Sequence, residues 1–188
     1  PGGGFAIAGK VRARSTRLFN SGVQDLLGGN AVASSDVRYG TDGIVRFAGL
    51  RLTAPKLRIT SGQGSYAPDG RVQFAARATS TDYGPLGVQL AGTISDPRAT
   101  LTAERPGLGI GLANLVARIN GAPGGYRLAA TGDTDYGPLS ANVVLLMAKG
   151  PLTIDVERAD LSGIGLTGRL QQSEAGPFVG RLDASGQG

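Results

Sequence analysis

The sequence predicts an all-β fold, an antiparallel meander of short strands. Glycine makes up 32 of the 188 residues, about twice its ordinary share, and it favours turns over helices. Turn signals recur from residue 41 onward, often about 10 to 15 residues apart. Apolar and polar residues alternate between them, as in Val72, Phe74 and Ala76 against Gln73 and Arg77. The predicted turns are Thr41-Asp42-Gly43, Pro68-Asp69-Gly70, Asp82-Tyr83-Gly84-Pro85, Ser95-Asp96-Pro97, Pro123-Gly124-Gly125, Asp135-Tyr136-Gly137-Pro138, Lys149-Gly150-Pro151 and Ala175-Gly176-Pro177.

One short amphipathic helix is expected at about residues 15–28, after a first strand at residues 5–14. Ser15-Thr16 offers an N-cap, and Gly28-Gly29 provides a stop. Apolar residues recur between them at spacings of three and four, namely Leu18, Phe19, Val23, Leu26 and Leu27. Such a stripe requires a surface to lie on.

The chain also repeats itself. Residues 78–86, ATSTDYGPL, return as 130–139, ATGDTDYGPL, and residues 109–112 return more weakly as 163–166. A period this long predicts an array that grows by adding units, and it fits a closed barrel poorly. We expect β repeat units at about 31–90, 91–145 and 146–188. We also expect that residues 1–188 are a fragment of a longer protein, because both ends fall within the pattern.

The composition argues against an enzyme. The chain has no His and no Cys, which removes the commonest general base, the commonest metal ligand and every thiol or His-activated nucleophile. Asp82 and Asp135 hold equivalent repeat positions, and we expect each to accept hydrogen bonds from its own turn. Gly107–Gly111 resembles a phosphate-binding loop only superficially, and a Gly-rich strand is the simpler interpretation. No cofactor and no metal are expected.

The net charge is +5, which raises the question of a nucleic-acid or anionic membrane partner. Apart from Lys10, Arg12, Arg14 and Arg17, the arginines are scattered singly along the chain. We expect most of them on the solvated faces of strands, and no nucleic-acid partner. The tyrosines stand beside turns and are not interleaved with basic residues, unlike a base-stacking surface.

The arrangement of these segments resembles the TamB/AsmA-like family, whose TamB members are subunits of the translocation and assembly module. The resemblance rests on a helix ending in LLGG at Leu26–Gly29 and on a GLRLTAP strand at Gly49–Pro55. It continues with a Gly-x-Gly strand at Gly62–Gly64 and an Asp-Gly turn at Asp69-Gly70. It covers nearly the whole chain, most clearly residues 15–95.

The resemblance implies an elongated sheet curled into a taco-like trough with an apolar interior. It further implies a segment of a periplasm-spanning groove that carries phospholipid between the inner and outer membranes. The parent protein would be anchored in the inner membrane, and an outer-membrane assembly-barrel protein would be its partner. Phospholipid acyl chains would fill the interior, because the sequence offers too little material for a second layer. The residues expected to line this groove are Val72, Phe74, Val88, Leu90, Leu101, Val143, Leu145, Ile154 and Val156.

Two other classes of function remain open at this stage. A scaffold for outer-membrane protein assembly or secretion would pair its exposed edge strands with the strands of its substrates. A structural stalk would use the same repeats and Gly-rich strands without binding lipid.

Overall fold

A computed structural model describes residues 7–15, 27–93, 96–107, 109–146, 152–172 and 178–186, and the structural statements below concern these residues. They contain thirteen strands, each antiparallel to its partner in every described pairing. The all-β, antiparallel class predicted from the sequence is therefore confirmed. The predicted helix at about residues 15–28 lies largely outside the described residues. Ser15 ends the first strand, and Leu27 has a helical conformation.

The chain divides into two compact units, and the first comprises Pro1–Ile94. Each of its strands pairs with the next one along the chain. The predicted turns at Thr41–Gly43, Pro68–Gly70 and Asp82-Tyr83 each join two of these strands. The strands are β1 (Ile7–Ser15), β2 (Ala31–Tyr39), β3 (Val45–Thr53), β4 (Leu57–Tyr66), β5 (Arg71–Ser80) and β6 (Gly84–Thr93).

The second unit, Ser95–Gly188, is a meander of the same kind. Its strands are β7 (Pro97–Ala103), β8 (Ala113–Ala122), β9 (Gly125–Thr134), β10 (Gly137–Leu146), β11 (Thr153–Leu161), β12 (Ile164–Gln172) and β13 (Phe178–Gly186). The two TDYGPL copies occupy equivalent places, since one joins β5 to β6 and the other joins β9 to β10.

The weaker copies at 109–112 and 163–166 are not equivalent. Gly107–Gly111 is a loop, closed by a bridge between Gly107 and Leu112, whereas Ile164 opens β12. The predicted Gly-rich strand at 107–111 is therefore wrong. Gly107, Gly109 and Gly111 have φ angles of 67°, 75° and 65°, and this left-handed conformation turns the chain instead of extending it.

The buried core is small. The buried hydrophobic residues among those described are mainly alanines, and no side chain is fully buried. The described cluster of buried side chains consists of Leu27, Ala31 and Leu57. Ordinary two-layer domains bury many large side chains between their layers. The sheets described here leave most of theirs half-buried.

Candidate functional site

In the first unit, the strand register brings the apolar residues to one side of the sheet. Residues directly opposite each other in an antiparallel pair share a face, as do residues two apart along a strand. The resulting first apolar face consists of four cross-strand rows. These are Tyr39–Val45–Tyr66–Val72–Gly92, Val37–Phe47–Gly64–Phe74–Leu90, Gly62–Ala76–Val88 and Ala33–Leu52–Ile59–Ala78–Leu86.

Two aromatic rings meet in the middle of this face. The ring centroids of Phe47 on β3 and Phe74 on β5 are 5.9 Å apart, with an interplanar angle of 37°. Strand β4 runs between them, and Gly64 is the residue directly opposite both. A Cβ atom on Gly64 would stand 2.5 Å from Cζ of Phe47. The Gly-x-Gly segment therefore lets side chains from neighbouring strands lean over β4.

One end of the first apolar face is covered by Leu27, whose side chain is 5% exposed. Leu27 packs with Leu57 and Ala31 and lies against Leu52 and Leu86. The backbone N–H of Lys56 donates to the carbonyl of Leu27 at 2.9 Å, which fixes the entering chain to the β3–β4 turn.

The hydrogen bonds that stabilise the TDYGPL turn at the same end are not the ones that the sequence predicts. The backbone N–H groups of Asp82 and Tyr83 donate to Oγ of the buried Ser80, at 3.2 and 3.3 Å. The Asp82 carboxylate instead accepts from Lys56 Nζ at 3.0 Å and from the Thr81 hydroxyl at 2.9 Å. The prediction that Asp82 satisfies its own turn backbone is wrong, because Ser80 already does so.

The second unit carries an apolar face of the same kind, here called the second apolar face. Its three rows are Leu101–Ala117–Ala130–Ala141–Ala159–Leu166–Ala184, Ala99–Ile119–Leu128–Val143–Val156–Gly168–Leu182 and Gly121–Tyr126–Leu145–Ile154–Leu170–Gly180. Leu112, 4% exposed, lies beside Gly132, the residue opposite Leu139 at the TDYGPL end. Among the described residues, Leu27 and Leu112 are therefore the most deeply buried leucines of their units, and each lies near a TDYGPL turn.

Away from these ends, the described residues leave both apolar faces partly open. Tyr39 is 49% exposed, Tyr66 46%, Leu101 40% and Leu182 45%. The other large apolar side chains of the rows are half-buried. An apolar sheet face normally requires a covering layer. Both faces can therefore accept further apolar material.

In the second unit the opposite side of the sheet is mostly polar and carries cross-strand ion pairs. Arg169 binds Asp155 through two hydrogen bonds of 2.6 Å, and Arg127 contacts Glu157 at 3.0 Å. The hydrogen bonds from Arg169 lower the pKa of Asp155 below its ordinary value of 3.8. A similar pair in the β2–β3 turn, Arg46 with Asp42, lowers the pKa of Asp42.

The nine residues predicted to line a groove are distributed over both apolar faces. Val72, Phe74, Val88 and Leu90 lie together on the first apolar face. The second holds Leu101, Val143, Leu145, Ile154 and Val156. The register makes direct neighbours of Phe74 and Leu90, of Val143 and Val156, and of Leu145 and Ile154.

Sequence reasoning missed several members of both faces. On the first apolar face these include Phe47, Leu52 and Ile59, and on the second Ile119, Leu128 and Leu170. The alternation in residues 45–52, VRFAGLRL, was available as a signal for β3. The approach of Phe47 to Phe74 was not, because it depends on a register across β4.

No family model, curated protein or solved structure that was compared with the chain matches it. Within the described ranges, no helix is long and apolar enough to span a bilayer. The same ranges contain no group of three acidic side chains placed to hold a metal ion.

Proposed function

We propose that this chain is a segment of a TamB/AsmA-like hydrophobic groove that carries phospholipid between the inner and outer membranes of the cell envelope. The observation that carries the proposal is the open state of the two apolar faces. They hold most of the large aliphatic and aromatic side chains of the described strands, yet among the described residues only one end of each is closed by a buried leucine.

Acyl chains fit such a face on physical grounds. Burying a methylene group stabilises a complex by about 0.8 kcal/mol, without any directional contact. The side chains lining the faces are aliphatic or aromatic and carry no charge, so a tail can slide along them. A strand of nine or ten residues spans about 30 Å, which accommodates an extended acyl chain.

The finer parts of the proposal come from the family resemblance. They are the curling of the sheet into a trough, the location in the periplasm, the inner-membrane anchor of a longer parent protein and an outer-membrane assembly-barrel partner. The account requires no catalytic residue and no cofactor. The chain acts as a binding surface and not as an enzyme.

Paired aspartate substitutions test whether the first apolar face binds lipid. Phe74→Asp and Val88→Asp introduce a carboxylate into the face, whereas Gln73→Asp and Gln89→Asp place the same charge on the polar side of the same strands. The affinity for a phospholipid with a fluorescent acyl chain should fall about tenfold or more in the first pair of variants. It should stay near that of the unsubstituted chain in the second pair.

Far-UV circular dichroism and urea midpoints report whether each variant folds. The milder Val88→Thr, which keeps the side-chain shape, covers the case in which Val88→Asp unfolds. Equal probe binding by the face variants and their controls, all folded, would refute a lipid-binding face. Unfolding of both Phe74→Asp and Val88→Asp, with unchanged binding by Val88→Thr, would indicate a conventional core instead.

A second candidate function, a scaffold that pairs with outer-membrane protein strands, is favoured by the edge strands. Within the described residues, β1 pairs with β2 alone and β13 with β12 alone. The free edge of such a strand offers unpaired backbone groups to an incoming strand. A photo-crosslinker at Asp183 on β13 should capture a peptide from the last strand of an outer-membrane barrel. One at Thr167 on β12 should not, and equal capture at both positions would exclude edge pairing.

A further inference from the structure

The net positive charge of the chain comes from its first unit. Residues 1–94 contain eleven Lys and Arg against five Asp and Glu, whereas residues 95–188 contain eight against nine. The second unit is close to neutral, so the first accounts for the whole basic excess. Three of the first unit's acidic residues, Asp42, Asp69 and Asp82, lie in turns and form ion pairs there.

The polar side of the first sheet carries five of these arginines, four of them in two adjacent cross-strand rows. Arg12 and Arg51 lie on either side of Ser34 in one row, and Arg77, opposite Ser61, lies two strands beyond Arg51 on the same side of the sheet. In the neighbouring row Arg14 is opposite Val32, and Arg58 lies between Thr53 and Thr79. We call Arg12, Arg14, Arg51, Arg58 and Arg77 the arginine patch.

All five side chains of the arginine patch are exposed. Among the described residues, no ion pair involves any of them, and none of the residues directly opposite them is acidic. Asp36 lies two residues along β2 from Ser34, or roughly 7 Å. Four strand spacings of about 4.8 Å separate β1 from β5, so the patch extends over ~19 Å.

We propose that the arginine patch is a docking surface for a bilayer that contains anionic phospholipids. Guanidinium groups bind phosphate oxygens through paired N–H donors, and five of them on one side of a sheet complement the phosphates of a planar leaflet. The hydroxyls of Ser34, Thr53 and Thr79, which lie between the arginines, are further donors for the same oxygens.

The observations favour a membrane over nucleic acid. A surface that binds single strands stacks bases on aromatic rings. The aromatic residues Tyr39, Phe47, Tyr66 and Phe74 of this sheet lie in the rows of the first apolar face, on the opposite side. A duplex is read by an element that enters a groove, and the patch is carried on one side of a multistranded sheet. This docking uses the polar side and does not rest on the proposed lipid groove.

Vesicle flotation tests the proposal on the full chain. The vesicles are pure phosphatidylcholine or phosphatidylcholine with about one third phosphatidylglycerol. Binding should require phosphatidylglycerol and should weaken as added salt shortens the Debye length. Each basic residue close to an anionic surface contributes about a fivefold gain in affinity. The triple variant Arg51→Gln/Arg58→Gln/Arg77→Gln should therefore lose on the order of 100-fold.

The matched control is Arg98→Gln/Arg118→Gln/Arg158→Gln, which removes the same charge from exposed positions of the second unit. It should retain most of the binding, as should Arg51→Lys/Arg58→Lys/Arg77→Lys, which keeps the charge. The variant Arg51→Gln/Arg58→Gln/Arg77→Gln should still bind the phospholipid with the fluorescent acyl chain. This result would distinguish membrane docking from binding in the proposed groove. Equal losses in the two glutamine variants, salt-independent binding, equal binding to pure phosphatidylcholine, or tighter binding to duplex DNA than to the vesicles would each overturn the proposal.

Discussion

Phe47 and Phe74 meet across an intervening strand, with their ring centroids 5.9 Å apart above Gly64. The glycine is what makes the contact possible, because any larger residue on β4 would occupy the space into which Phe47 leans. Both rings remain half-buried. The contact therefore stabilises the sheet and also leaves aromatic surface available on the first apolar face.

A double-mutant cycle should detect this contact. Tilted aromatic pairs contribute about 0.5 to 1.5 kcal/mol beyond the area that they bury. Phe47→Leu, Phe74→Leu and the double variant, compared with the parent chain by urea denaturation, should give a coupling free energy in that range. Strictly additive losses would mean that the rings do not interact in solution.

Gly64→Ala should destabilise the first sheet by about 1 to 3 kcal/mol. The added Cβ would meet the Phe47 ring and the backbone carbonyl of Gln73. Combining it with Phe47→Leu should recover only part of the loss, since the carbonyl remains. Gly70→Ala is a useful comparison because that position has open space around it, although its φ of 83° adds strain. A full recovery in the double variant would show that the backbone contact costs nothing.

Leu112→Ala should cost about 2 to 5 kcal/mol, the range for removing a buried leucine. Leu112 is 4% exposed and closes one end of the second apolar face. Leu182→Ala, at a position 45% exposed on the same face, should cost less than about 1 kcal/mol. Similar losses of unfolding free energy at the two positions would mean that Leu182 is also buried, so that the second apolar face is covered in the folded chain.

The Asp155–Arg169 pair predicts a specific pH dependence. Because Arg169 lowers the pKa of Asp155 in the folded chain, the folded state binds this proton more weakly than the unfolded state. The carboxylate therefore contributes its full stabilisation above the ordinary pKa of 3.8 and loses it as the pH falls through the lowered value. Carbon-detected NMR titration should show the pKa of Asp155 rising towards its ordinary value in Arg169→Gln. An unchanged pKa would mean that the pair does not form in solution.

The sequence predicted the strands well wherever alternation and turn chemistry agreed. Pro68-Asp69-Gly70 lies between β4 and β5, and the Arg71 N–H donates to Asp69 at 3.1 Å, as expected of an Asx turn. The strand predicted at Gly107–Gly111 was wrong because glycine occurs both in bent strands and in left-handed loops, and composition does not distinguish the two. The prediction for Asp82 was wrong for another reason: the backbone N–H groups of Asp82 and Tyr83 donate to the Ser80 hydroxyl oxygen instead.

The arginines show what sequence reasoning could not reach. Arg14 and Arg58 lie 44 positions apart in the chain, and the sequence pattern does not relate them. Only the pairing of four successive strands brings them into one row. The same register brings the residues of each apolar face together. The sequence identified nine of these residues, but it did not identify Phe47, whose ring reaches across β4. Period-two alternation assigns a residue to a side of its strand, but it does not reveal the neighbours on other strands.

The measurement that tests the central claim most directly is the detection of phospholipid on the purified chain. Native mass spectrometry of protein purified without detergent, with chromatography of its organic extract, should show bound phospholipid in the parent chain. The signal should persist in Gln89→Asp and be lost in Val88→Asp, with both variants folded. A lipid-free parent chain that also fails to take up added phospholipid would contradict the account.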